Sequence, residues 1–205
     1  MTKSIPPSRQ TRRSAGRASG PPVAWPLIAV VVGVVALVGV IAFATYQTVS
    51  ERNARVQPID GVQQFLDLPS AAHVTTPVDY DPIPPVGGPH NAQWLNCGVY
   101  DQPVPNENAV HSLEHGAVWI TYRPDLPADQ VETLRGLVRG RAYALLSPYP
   151  DLPAPVVASA WGLQLRVDSA SDARLARFLV KYMQGPQTPE PGAACFGGVG
   201  APIQR

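Results

Sequence analysis

NENAVHSLEHGAVWITY, residues 106–122, decides how the rest of the chain is arranged. His111 and His115 stand four apart, separated by Ser112, Leu113 and Glu114. On an α-helix that step brings two side chains to one face, a turn apart, where two imidazoles can grip one metal ion. Asn106 suits an N-cap and Gly116 a C′ position, so the expected helix is about nine residues long. Ala117 to Tyr122 follows as a buried strand, rich in Val, Trp, Ile, Thr and Tyr. A short helix stopped by glycine and feeding a core strand is a firm platform for chemistry-bearing side chains.

Downstream, Asp125 to Arg139 is expected as an amphipathic helix, with Pro127 in its first turn and Val131, Leu134 and Val138 as the apolar stripe. Ala142 to Ser147 and Val156 to Val167 read as strands, the second alternating through Trp161, Leu163, Leu165 and Val167. Ser171 to Met183 is the clearest helix, capped by Ser171 and stopped by Gly185-Pro186, with Leu175, Phe178, Leu179 and Tyr182 facing a core. The tail from Gln187 to Arg205 is rich in Pro and Gly. Upstream, Asp60 to Leu66 fits a short helix and His73 begins a brief strand. Between them and the platform, Tyr80 to Trp94 holds Pro82, Pro84, Pro85 and Pro89, so it forms neither helix nor interior strand. A long loop inside a domain is usually either functional or disordered, and this one, which carries His90 and ends in Trp94, reads as ordered. The expected fold class is α+β: a small sheet of three to four strands packed with short helices, preceded by one transmembrane helix. Trp94, Trp119, Trp161 and Tyr122 are most simply core.

Charge divides the chain. Lys3, Arg9, Arg12, Arg13 and Arg17 lie in residues 1–24 with no acid, leaving 11 of the 16 basic residues against all 15 acidic ones. The body is therefore net −4, with no basic face for phosphates, so nucleic acid is not an expected partner. Leu27 to Ala44 is an uninterrupted run of 18 apolar residues, which as a helix spans about 27 Å, close to a hydrocarbon core. Trp25 and Tyr46 flank it at the two interfaces, and the basic tail is expected on the cytoplasmic side. The division this implies is a disordered tail at 1–24, a signal-anchor helix at 25–46, a stem at 47–57 and an extracytoplasmic domain at 58–205. The expected location is the cell membrane, in a single pass. A cleaved leader ending near Ala42-Phe43-Ala44, even a twin-arginine one on Arg12-Arg13, exports the same domain.

The two cysteines, Cys97 and Cys195, both fall in the exported part, where an even count favours a disulfide. With no C-x-x-C, a thioredoxin-type pair has no basis.

The segment PPVGGPHNAQWLNCGVYDQPVPNENAVHSLEHGAVWITYRPDLP, residues 84–127, resembles the signature of an uncharacterised bacterial family, domain of unknown function 3105. Its most specific elements are PPVGGPH and VHSLEHG. The resemblance covers about residues 57 to 195 and implies an exported or membrane-anchored protein, with no activity, cofactor or substrate attached.

All four histidines, His73, His90, His111 and His115, lie in the 73–115 stretch. His90, His111 and His115 are the leading metal set, for copper or zinc, with Glu107 or Glu114 completing or orienting it and His73 as the outlier. Such a site would serve metal handling, beside an exported metalloprotein as partner. The alternative is a structural or partner-binding module whose histidines hold the Pro-rich loop on the helix. A third reading takes H-x-x-E-H, residues 111–115, as a metallohydrolase motif with a glutamate as base. Against it, Gly116 ends the helix at once. No G-x-S-x-G elbow and no phosphate-binding glycine loop occurs.

Overall fold

The computed structural model describes residues 25–204 and divides at Tyr46/Gln47 into two units. The basic tail expected at 1–24 lies outside the described residues. Helix α1, Trp25–Val56, dominates the first unit. Its stretch Trp25–Ser50 is long and apolar enough to cross a membrane and buries none of that surface against protein. The helix overruns the expected end at residue 46 and takes in most of the stem. Glu51, Arg52, Ala54 and Arg55 are compatible with helix, and the first strong breaker is Pro58.

The second unit is α+β, built on one mixed sheet. Strands β1 (Val62–Gln64), β2 (Gly98–Val99), β3 (Val118–Tyr122), β4 (Ala144–Pro148), β5 (Val156–Ala160) and β6 (Leu163–Val167) lie in the order β1-β6-β5-β3-β4-β2. Four of these strands run five residues each and two are short edges, so the sheet is wider than the three or four strands expected. Helix α3, Ala128–Val138, carries the chain from β3 to parallel β4, since a parallel pair needs a crossover. β5 and β6 are an antiparallel hairpin closed by Trp161 and Gly162, the glycine at φ 68°. The single strand expected over Val156–Val167 is thus two, because Gly162 supplies the left-handed turn a two-residue loop demands.

Three further boundaries differ. Asp60–Leu66 is not a helix: Gly61 turns at φ 81°, and Val62–Gln64 pairs with Leu163–Leu165 on the free edge of β6. Edge pairing outweighs a weak helical pattern only one turn long. Helix α2 spans Asn106–Glu114 with Pro105 at the cap position, and the Asn106 amide donates instead to the Tyr149 phenol at 3.1 Å. Helix α4, Ala173–Tyr182, is capped by Asp172 rather than Ser171, its carboxylate accepting from the Arg174 N–H.

Both faces of the sheet are covered. Val118, Ile120, Val156, Ala158 and Leu165 pack with Leu134 of α3 and Phe178 of α4 on one side. Trp119 and Leu145 pack with Ala109 and Leu113 of α2 on the other. That second face is finished by the Pro-rich loop: the buried Gln164 amide donates to the Pro84 carbonyl at 3.0 Å, and Gly162 N–H donates to Val86 O. Prolines suit this position because they have no N–H to strand against a buried surface. The disulfide Cys97–Cys195 ties the C-terminal tail to the approach to α2. It does not act alone. Asn96 N–H donates to Val199 O, Val199 N–H to Trp94 O, and Val99 N–H to Gln204 O, so the tail is stitched along its length.

Candidate metal centre

Helix α2 delivers the site from its last turn. His111 and Glu114 are three apart on the helix and face the same way, toward the Pro-rich loop. The turn ends because Gly116 adopts φ 92° and donates to Leu113 O, after which Ala117 leads into β3. A side chain at residue 116 would collide with Gln184 and Thr188, so the tight exit needs glycine.

The loop delivers His90, which is fully buried. Its Nδ1 lies 2.9 Å from the Gly88 carbonyl. A carbonyl can only accept, so this nitrogen donates and Nε2 is turned the other way. That Nε2 has no hydrogen-bond partner among the described residues and faces Oε2 of Glu114 at 3.0 Å. A buried ring nitrogen this close to a buried carboxylate oxygen calls for a proton or a cation between them. His111 repeats the pattern, donating from Nδ1 to the Asn91 carbonyl at 2.7 Å. Burial is the main reason its pKa falls from 6.5 to about 4, partly offset by that hydrogen bond, so the ring is neutral at physiological pH. Tethering one ring nitrogen to a main-chain carbonyl and leaving the other free is how histidines are commonly held around metals.

His73 is brought in from outside. Val74 N–H donates to His90 O and His90 N–H donates to Ala72 O, a short parallel bridge that lays the His73 segment along the loop. The His73 ring stacks on His111 at 5.2 Å between centroids and meets His90 edge-on at 5.1 Å. One ligand atom from each of His73, His90, His111 and Glu114 falls within 4.8 Å of the others, a group that could hold a metal ion. Ligand atoms 2.0–2.1 Å from a tetrahedral ion stand about 3.4 Å apart, so closing on one asks for movements of about 1 Å.

His115 and Glu107, the other two expected members, stand beside this group. His115 follows the last helical residue, donates from Nδ1 to Ala194 O at 2.7 Å and turns Nε2 toward Glu190 at 3.5 Å. Its ring contacts His111 and Trp94, with centroids 4.5 and 5.2 Å away. Glu107 accepts from the Val78 N–H at 2.9 Å and so clamps the segment carrying His73. The structure therefore gathers His73, His90, His111 and Glu114, where the four-residue helical step had suggested His90, His111 and His115. The carbonyls of Gly88, Asn91 and Ala194 that aim the rings carry no side-chain signal. Only their closeness to His90 and Cys195 in the sequence could have pointed to them. Tyr80 steadies the loop by donating to Pro89 O at 2.6 Å; burial first, and the neighbouring Glu107 second, raise its phenol pKa and keep it a donor.

Residues 73–197 match the family described as "Protein of unknown function (DUF3105)". That stretch is more than half of the chain and contains all four histidines and both cysteines. The chain belongs to this family, as the PPVGGPH and VHSLEHG motifs had implied. No curated protein and no solved structure matches it.

Proposed function

For this member of a family without an assigned role, we propose that the domain binds one divalent metal ion, zinc or copper, through His73, His90, His111 and Glu114. The observation that carries the reading is the buried approach of His90 Nε2 to Glu114 Oε2, 3.0 Å apart, inside a cluster that also holds His73 and His111. A metal cation can sit between them and be reached by the other two ligands as well. Imidazole nitrogens with one carboxylate suit zinc and copper(II), and both cysteine sulfurs are committed to the disulfide, which leaves no thiolate for softer ions. The domain lies outside the cytoplasmic membrane, anchored by α1 with its basic tail inside, and handles metal beside an exported metalloprotein. Support for that location comes from the apolar run, the basic residues before it and the disulfide. A zincin-like use of H-x-x-E-H finds less support, since His115 is bonded to the tail and Glu114 faces His90.

The full chain, purified in detergent and dialysed against zinc or copper(II), is expected to carry one ion per chain by elemental analysis. His90→Ala and Glu114→Ala are expected to carry none. A wild-type protein that stays metal-free under these conditions would falsify the reading and leave the histidines as struts for the loop.

A further inference from the structure

The proposed ligands are unequal in one respect, and the inequality bears on how an ion gets in and out. His90 is 0 % exposed, His111 5 % and Glu114 7 %, whereas His73 is exposed. The three buried groups are fixed from behind: His90 by Gly88, His111 by Asn91, and both His111 and Glu114 by the frame of α2. His73 comes from an extended segment laid over them, tied by the bridge to His90 and the Glu107 clamp on Val78.

We infer that, given the metal site proposed above, His73 is its exchangeable ligand: His90, His111 and Glu114 hold the ion, and the ion enters and leaves on the His73 side. Two imidazoles and a carboxylate already form a complete three-point protein set with a fourth position left over. In the exchange the bond from the ion to the His73 ring breaks as one from an incoming donor forms. The metal keeps its oxidation state, and the freed imidazole is solvated in place. The incoming donor is an imidazole, carboxylate or water, and an acceptor site of that chemistry on another protein can take the ion by the same route. The buried ligands are poorly placed to start the exchange, since they offer little or no surface to water.

Zinc alone serves as the probe, loaded onto the full chain in detergent and stripped by an excess of a chromophoric chelator. His73→Ala is expected to retain one zinc per chain and to release it faster by at least about tenfold, the lower end of what losing a supporting group at a metal site costs. His90→Ala is expected not to bind stoichiometrically. Release within twofold of wild type, or loss of stoichiometric zinc from His73→Ala, overturns the inference while leaving the metal site standing. Wild-type protein that takes up no zinc or copper(II) overturns both.

Discussion

The two faces of the sheet are built for different ends. Toward α3 and α4 the strands present Val118, Ile120, Val156, Ala158 and Leu165, an unbroken apolar layer. Toward α2 and the Pro-rich loop the same strands present the Trp119 indole donating to Ser147 Oγ at 3.0 Å, the buried Gln164 and a buried Ser159 whose hydroxyl has no partner among the described residues. The histidine cluster stands on that second side. One face is packed for stability. The other accepts buried polarity, which costs stability wherever partners are imperfect, and it does so beside the cluster of His73, His90, His111 and Glu114.

Substitutions can separate the two. The largest effect is expected on the apolar face, where Phe178→Ala removes a fully buried ring and should lower stability by about 3–5 kcal/mol in chemical denaturation. Metal stoichiometry of the surviving folded fraction is expected to stay at the wild-type value. On the polar face, Glu114→Gln should behave in the opposite sense. Its amide N–H can donate to the lone pair of His90 Nε2, so the metal-free protein should hold or gain about 0.5–1.5 kcal/mol, while the zinc-induced rise in melting temperature disappears. A loss of stability in metal-free Glu114→Gln comparable to Phe178→Ala would mean that the pair is structural.

Protonation offers a gentler probe of the same face. His111 titrates near 4 when folded and near 6.5 when unfolded, so the unfolded chain binds more protons between these values. Its contribution is fully present above the unfolded pKa and is lost as the pH falls from about 6.5 toward 4. Metal-free protein is expected to lose stability over that window, and His111→Gln to flatten the profile; parallel profiles would remove His111 as the cause. The smallest effect belongs to Glu107→Ala, which frees Val78 N–H at a half-buried position. Stability should fall by about 0.5–1.5 kcal/mol, and zinc release should quicken less than in His73→Ala.

The frame of the domain was largely legible. Gly116, the apolar stripe of α4, the amphipathic pattern of α3 and the pairing of the two cysteines all leave local signatures in composition and spacing, whereas the crossover that α3 makes between parallel strands does not. β1 was not legible, because three residues have no periodicity of their own and become a strand only through the edge of β6. At the site, spacing put His111, Glu114 and His115 near one another and could not separate them. The helix stops at Glu114, so His115 is drawn to Ala194 and Glu190 in a tail some 75 residues away. His73 enters through a main-chain bridge to His90, a long-range contact with no side-chain pattern behind it. Its closeness to the other histidines in sequence was the one available hint.

Strand β3 is paired on both edges and covered on both sides, and it begins two residues after Gly116 closes the turn that carries Glu114. Its amide protons should therefore exchange with solvent only when the entire domain comes apart, which places one rim of the histidine cluster on the slowest clock in the molecule. The N–H of Val74, held by a lone bridge near an exposed ring, should exchange through brief local openings. Within one site, then, deuterium uptake would time a rigid wall and a restless door.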